Sequence, residues 1–352
     1  MADAKKVVVQ LPGKDKSPSI AVRYELELEA LEPIGVELIE SGTTDEDEFI
    51  ELAKDCDGIL TSWGVRMTAK IIKSLNKCCI IGVGSIGVDM VDVDAATEAG
   101  IVVTNTPDIF IEEVADHAMM LLLAQNKLLK ELMRYTKEGA WFEKRPVPSE
   151  IPRLWGETLG LLGFGNVGVA VARRALPFGM RVIAYDPYVS ELKMTAEGVE
   201  PVSFKELLER SDYLSIHAPH NSSTTHLLGE AEFKAMKKTA RIVNTARGPL
   251  MDEKALIKAL QDGEIAGAGL DVTEQEPPEK DNPLRDMENV LLTPHTASAS
   301  TRMRIATRRR AACEVALALS GRWPQSAVNP DVLPRTNLER WQPISMHSGP
   351  NR

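Results

Sequence analysis

Residues 159–186 constrain the fold more than any other stretch of this chain. An apolar run, Leu159-Gly160-Leu161-Leu162, ends in Gly163-x-Gly165-x-x-Gly168. A helical pattern follows over 169–178, and Arg181-Val182-Ile183-Ala184-Tyr185 reads as a second strand that stops at Asp186. Strand, glycine turn, helix, strand and acid together make one parallel β-α-β unit. Gly163 permits the tight turn, Gly165 leaves room for a pyrophosphate where a Cβ would collide, and Gly168 lets the helix sit close to its strand. The free N–H groups at the helix start, with the positive end of its dipole, favour phosphate. Asp186 lies 18 residues beyond Gly168, near the spacing of a ribose-binding acid. Its carboxylate can accept from a ribose hydroxyl and would repel a 2′-phosphate, which favours NAD over NADP. A glycine triplet alone also occurs in ordinary turns; here the flanking strand, helix and acid carry the dinucleotide reading.

The 352 residues suggest about two domains, and 43% hydrophobic content is enough for packed cores. A net charge of −10 argues against nonspecific nucleic-acid binding, which needs a positive field. It leaves room for a small anionic substrate in a locally basic pocket. Cys56, Cys78, Cys79 and Cys313 form no CxxC and no common zinc spacing, so reduced thiols and no metal site are expected. No apolar h-region opens the chain and no run approaches a membrane span, so the expectation is a cytoplasmic protein without a membrane partner.

Before the glycine stretch, strands are expected at 7–9, 36–39, 58–61, 79–83 and 101–103. Helices are expected at 25–31, 49–54, 68–75 (capped by Thr68) and 94–99. This alternation implies a small parallel α/β domain. The turn Gly84-Ser85-Ile86-Gly87-Val88-Asp89 can offer backbone N–H groups to a carboxylate, or be a plain strand-to-helix turn. Residues 112–135 read as one long apolar helix that must bury more than one face, either in a core or on a second subunit. His117 within it reads as structural, and 139–155 as a loop.

From residue 159 onward about six strands alternate with helices at 204–210, 230–236 and 253–262. The strands lie at 159–162, 181–185, 212–217, 241–245, 266–272 and 290–293, a full doubly wound domain that binds ligands at the carboxyl ends of its strands. A final helix, 300–320, carries Arg302, Arg304, Arg308, Arg309 and Arg310, for which a salt-bridged face is the simplest role. The polar, proline-spotted segment after Pro330 reads as a loosely ordered tail.

Three charged residues fall just past strand ends: Arg247, Glu276 and His295. Singly each has an ordinary explanation as a surface or loop residue. Beside a nicotinamide they form an oxidoreductase site. Arg247 can grip a substrate carboxylate in a planar fork. His295 can pass a proton to a carbonyl oxygen, and Glu276 can raise its pKa by stabilising the imidazolium.

These residues sit in motifs that resemble the D-isomer-specific 2-hydroxyacid dehydrogenase family, from about residue 5 to 333. The motifs are Gly163-Phe164-Gly165-Asn166-Val167-Gly168, Asp186-Pro187, His217-Ala218-Pro219, Asn244-Thr245-Ala246-Arg247-Gly248, Gly269-Leu270-Asp271-Val272, Glu276-Pro277 and Thr293-Pro294-His295. The resemblance implies Arg247 as substrate-binding and catalytic, His295 as acid/base and Glu276 as its partner. It implies that Asp271 contacts the nicotinamide carboxamide and that His217, Ala218, Pro219, Thr245, Ala246 and the 163–168 turn, including Asn166 and Val167, hold NAD(H). It also implies a Rossmann-type NAD domain, 106–297, inserted into a flavodoxin-like substrate domain made of 1–105 and a return helix, 298–333, with a tail at 334–352. The helix from residue 112 resembles the family's dimerisation segment, so a homodimer is expected, with the active site in the cleft between domains. Backbone groups of Gly84, Ser85, Ile86 and Gly87 would meet the substrate carboxylate.

Ser85-Ile86-Gly87 departs from the Gly-x-Gly of many members, so a carboxylate cradle of different shape is expected. Glu276 points away from the formate branch, where glutamine takes its place. A chain ending near 352 would lack the serine-responsive regulatory domain of long phosphoglycerate dehydrogenases. The expected activity is reversible hydride exchange between NAD(H) and a short 2-oxoacid or D-2-hydroxyacid. Trp63, Val65 and Arg66 are candidate specificity side chains, Arg66 for a second anionic group or simply as a surface charge. Residues 294–330 also resemble the C-terminal-binding corepressors, which leaves an NAD(H)-sensing interaction protein as an alternative. A phosphite-type dehydrogenase is a further one.

Overall fold

The computed structural model describes residues 4–10, 19–62, 64–140 and 151–340. Residues 1–109 with 300–352 form one compact unit and 110–299 a second. The first contains a five-stranded parallel sheet: β1 (Lys5–Gln10), β2 (Val36–Glu40), β3 (Gly58–Thr61), β4 (Ile80–Val83) and β5 (Val102–Thr104), in the order β2-β1-β3-β4-β5. That order is flavodoxin-like. β3, β4 and β5 are buried along their whole length, as a parallel sheet covered on both faces requires.

One face of this sheet is covered by a helix from the far end of the chain. In Met303–Leu319, the side chains of Ala311, Ala312, Val315, Ala318 and Leu319 share a core with Val7, Val9, Leu60 and Ile80. Gly82 makes that approach possible: a Cβ there would lie 2.7 Å from Val315 Cγ2. The arginines of the helix divide by environment. Arg308 makes a two-bond fork with buried Glu27 at 2.6 Å, Arg309 does the same with Glu29 on the surface, and Arg302 and Arg304 are exposed. The segment expected to be a loose tail is ordered at its start. Pro330–Arg335 is a 3₁₀ helix whose Val332 is fully buried with Val102 and Trp323; residues 341–352 lie outside the described set.

The second unit holds seven parallel strands: β6 (Thr158–Leu162), β7 (Arg181–Tyr185), β8 (Glu200–Pro201), β9 (Tyr213–Ile216), β10 (Arg241–Asn244), β11 (Gly267–Leu270) and β12 (Val290–Leu292). Their order is β12-β11-β10-β9-β6-β7-β8. It is a doubly wound, Rossmann-type sheet whose order reverses between β6 and β9. The strand missing from the sequence reading is β8. It has two residues, one of them a proline, and sits at the sheet edge where a missing N–H donor is tolerated.

The expected helix over 112–135 is two helices, Ile111–Asn126 and Leu129–Lys137. No glycine or proline marks the break; Leu128 takes it up with φ +52°. Tertiary contacts on either side explain it. Asn126 is buried and its Nδ2 donates to Tyr213 Oη (2.9 Å) and Pro152 O (3.2 Å), while Lys130 Nζ donates to Met287 O (2.7 Å) and Val290 O (3.2 Å). The first helix does bury more than one face, yet Met120 remains 46% exposed. Of the expected loop at 139–155, residues 141–150 lie outside the described set. Among the described residues no helix is long and apolar enough to cross a membrane.

Candidate active site

Because every strand of the second sheet is parallel, their carboxyl ends share one edge, and the candidate residues follow those ends. Gly163 follows β6, Asp186 β7, His217 β9, Thr245–Arg247 β10, Asp271 β11, and Thr293–His295 β12.

The glycine turn has the properties a pyrophosphate needs. Gly163 adopts φ +96°, and a Cβ there would lie 2.7 Å from Ala218 N. Gly168 brings its helix so close that a Cβ would lie 2.5 Å from Gly163 O. A Cβ on Gly165 would instead point into open space, the space a bound phosphate would use. The helix Asn166–Ala175, which also contains Val167, has no side-chain cap, so its first N–H groups stay available to an anion. Asp186 is tied to the turn: Phe164 N–H donates to its Oδ2 (2.8 Å) and Tyr188 N–H to its Oδ1 (2.9 Å). Both bonds hold the carboxylate at the strand end and leave it lone pairs for hydroxyl donors.

On the other side of the switch point, His217 Nε2 bonds Ser215 Oγ at 2.8 Å, and burial pushes its pKa down to about 4, so the ring is neutral. Ala218 is buried and Pro219 exposed. Asn244, wholly buried, staples the next turn: its Oδ1 accepts from Ala246 N (2.9 Å) and its Nδ2 donates to Arg247 O (2.9 Å). Thr245 Oγ1 is buried there without a partner among the described residues. An orphaned hydroxyl, an uncapped helix start and the open face of Gly165 fit a dinucleotide.

The acid/base candidates meet directly. His295 Nδ1 lies 2.6 Å from Glu276 Oε2, each side chain a little over one-third exposed. The hydrogen bond that His295 donates to Glu276 raises the His295 pKa above its ordinary value, with burial and Arg247 opposing. Burial pushes Glu276 up, but the bond and charge of His295, the Thr273 N–H and Arg247 outweigh it and hold the carboxyl below its usual range. With Nδ1 turned to the carboxylate, Nε2 is the ring nitrogen left to face a substrate. Arg247 donates from a terminal nitrogen to Ala246 O at 2.7 Å.

His295 has φ +50°, a left-handed conformation uncommon outside glycine and asparagine. Asp271 holds it. The Asp271 carbonyl accepts from His295 N (2.8 Å), and its fully buried carboxylate accepts from Thr293 Oγ1 (2.5 Å), Thr296 N (3.0 Å) and Ala297 N (2.7 Å). His117 joins this network through Thr293 Oγ1 at 2.9 Å. The support given by Asn244 and Thr293 was not read from the sequence; a polar residue ending an otherwise apolar strand is the signal.

In the first unit, the 84–89 turn is pinned through its carbonyls. Ser85 O accepts from Thr106 N (3.0 Å), Ile86 O from Asn105 Nδ2 (2.8 Å) and Gly87 O from Ser85 Oγ (2.6 Å). Gly84 N donates to Thr61 O (2.8 Å). Among the described residues, the N–H groups of Ser85, Ile86 and Gly87 make no hydrogen bond. Of the specificity candidates, Val65 is buried in the core of this unit, Arg66 is exposed, and Trp63 lies outside the described residues.

Fold and strand-edge chemistry define a dinucleotide-dependent oxidoreductase, and comparison with known proteins narrows the class. Residues 119–297 match the D-isomer specific 2-hydroxyacid dehydrogenase, NAD binding domain. A glyoxylate reductase of Korarchaeum cryptofilum is 42% identical over 286 residues, 81% of this chain and 86% of that protein. A D-3-phosphoglycerate dehydrogenase of Methanocaldococcus jannaschii is 39% identical over 92% of this chain, which spans only 61% of that longer protein. The crystal structure of a glyoxylate reductase from Paecilomyes thermophila superposes with a TM-score of 0.82 at 31% identity, covering 92% of this chain and 98% of that one. The chain belongs to the D-isomer specific 2-hydroxyacid dehydrogenase family. It is an NAD-dependent oxidoreductase acting on 2-hydroxyacids.

Proposed function

We propose that the chain interconverts a short 2-oxoacid and its D-2-hydroxyacid, with Arg247 holding the carboxylate, His295 moving the proton and Glu276 tuning His295. The observation that carries this reading is the 2.6 Å pair of His295 Nδ1 and Glu276 Oε2 in the same set of strand-end loops as Arg247. Bound NAD(H), held by the 163–168 turn, Asp186, His217–Pro219, Thr245, Ala246 and Asp271, supplies or takes the hydride. Arg247 fixes the acid by a bidentate fork and polarises the neighbouring carbonyl. His295 delivers a proton from Nε2 to the carbonyl oxygen in reduction and recovers it in oxidation. The free amides of Ser85, Ile86 and Gly87 give the first unit its own carboxylate-binding surface. Glyoxylate and hydroxypyruvate are the substrates to try first, given their small size and the glyoxylate reductases among the relatives. NADH consumption across a panel of 2-oxoacids tests the reading. Tight NADH binding with no turnover on any of them would favour the sensing protein instead.

The pH profile follows from the raised pKa of His295. Reduction needs the imidazolium, so its rate falls as pH rises through the raised value. Oxidation needs the neutral ring and rises through the same pKa. Opposed limbs sharing one midpoint in kcat/KM are the expected result; parallel limbs would remove His295 as the acid/base.

Asp186 sets the cofactor preference. Charge-assisted hydrogen bonds contribute about 1.5–3 kcal/mol, so NADH should be favoured over NADPH by about 10- to 100-fold in kcat/KM. Asp186→Asn should narrow that ratio while keeping one acceptor for the turn. Equal use of both cofactors by the wild type would overturn the role given to Asp186.

A homodimer is part of the proposal. An open depression of about 620 Å³ lies between Met119, Met120, Leu123, Leu129 and Phe178, away from the strand-end edge. Met120, Leu129 and Phe178 are each 46% exposed, an apolar face of the kind a second copy covers. Met120→Glu should weaken association about tenfold or more, seen as monomer by analytical ultracentrifugation at concentrations where the wild type is dimeric.

A further inference from the structure

A second histidine–carboxylate pair shares a loop with the first, Glu274 and Glu276 both lying on the 273–276 segment, and it falls outside the roles assigned above. His226 adopts φ +51°, and its Nε2 is hydrogen-bonded to Glu274 Oε1. The backbone around it runs beside the segment that follows Arg247. His226 N donates to Pro249 O (2.8 Å), Leu228 N to Leu250 O (3.1 Å) and Asp252 N to Leu228 O (2.9 Å).

Glu274 is held from a second direction too. Its Oε2 accepts from Glu253 N (3.3 Å), while its own N–H donates to Glu253 Oε2 (2.9 Å). Glu253 is the first residue of the helix Glu253–Gln261, and its Oε1 accepts from Asn282 Nδ2 (2.7 Å). The pair therefore grips the loop that carries Glu276 by its outer end.

The inner end of that loop is equally confined. Thr273 N donates to Glu276 Oε1 (3.3 Å), and Thr273 Oγ1 donates to Gln275 O (2.7 Å). One residue, Gln275, separates the anchored Glu274 from Glu276, whose other oxygen meets His295 Nδ1. A shift at Glu274 is thus transmitted along a short, bonded backbone to the carboxylate that sets the proton affinity of His295.

We infer that His226 is a positioning residue for the reaction, holding Glu274, and through it the 273–276 loop, so that Glu276 keeps its bond to His295. The inference rests on the proposed acid/base role of His295. The charged groups acting on His295 are Glu276, Arg247 and Asp271; of these, only Glu276 sits on the gripped loop. His226 is 47% and Glu274 30% exposed, and a polar pair at that exposure contributes little to global stability. Its loss should therefore appear in the proton chemistry and not in the melting temperature.

The test measures kcat/KM for 2-oxoacid reduction against pH for the wild type, His226→Ala, His226→Gln, Glu274→Gln and Glu276→Gln, with a melting curve for each. Glu276→Gln should move the alkaline limb to lower pH. His226→Ala and Glu274→Gln should move it part of the way, by about half a unit, which is about a threefold loss of rate above the midpoint. His226→Gln, which keeps a donor near Nε2, should restore the wild-type profile. If Glu276→Gln shifts the limb and His226→Ala and Glu274→Gln both superimpose on the wild type, the positioning role is wrong. If Glu276→Gln itself shifts nothing, the acid/base assignment fails first and the inference falls with it.

Discussion

His295→Gln should lower kcat for 2-oxoacid reduction by about 100- to 10,000-fold, the range a positioned general acid contributes, while NADH binds almost as well as to the wild type. Glutamine keeps a polar side chain of similar reach but has no ionisable proton. The residual rate should lose its alkaline limb, since no group remains whose protonation the step requires. Arg247→Ala should also lower turnover severely, with a different signature. Losing the guanidinium removes substrate binding as well as carbonyl polarisation, so KM should rise along with the fall in kcat. Fluorescence titration with NADH separates both effects from simple misfolding. A His295→Gln enzyme that retained a tenth of wild-type kcat, with its pH limb intact, would mean that another group carries the proton.

Much of this site could be read from residue order, because the doubly wound fold turns sequence position into spatial position. A polar residue a few positions past the end of an apolar strand lies near the carboxyl edge, and that rule points to Arg247, Glu276 and His295 in the sequence, whereas Asp271 follows only from the family resemblance. Helix boundaries were legible where a side chain caps them. Thr68 accepts from Ile71 N as its position suggested, whereas the helix expected to open at 49 begins at Glu46 because Asp45 caps it, accepting from both Asp47 N and Glu48 N. The break at Leu128 was not legible. It is imposed by the bonds of Asn126 and Lys130 to distant backbone and side-chain atoms, and local propensity carries no trace of such partners. The edge strand at Glu200–Pro201 was hidden for the opposite reason, since two residues hold too little pattern to detect.

The least legible element is the contact between the loops that bear Arg247 and Glu276, and it gives the second large expected effect. A Cβ on Gly248 would lie 2.0 Å from Thr273 C and O and 2.5 Å from Glu274 N. All three are backbone atoms, so no rotamer change relieves the clash. Gly248→Ala must push the two loops apart, and overpacking of this kind costs about 1–3 kcal/mol, sometimes more. For a unit of this size that corresponds to about 2–4 °C in Tm per kcal/mol. The catalytic loss should exceed what the unfolded fraction explains, because the separated loops carry Arg247 on one side and Glu276 on the other. We expect kcat/KM to fall at least about 100-fold in protein that is still folded at the assay temperature, a misplacement of about 1 Å being enough for such a loss. The adjacent change Pro249→Ala is the control, since it alters the same turn without placing an atom against Thr273. Gly248→Ala with wild-type melting and turnover would show that the loops can part without consequence, and the close packing of Gly248 on Thr273 would then have no part in holding the catalytic groups together.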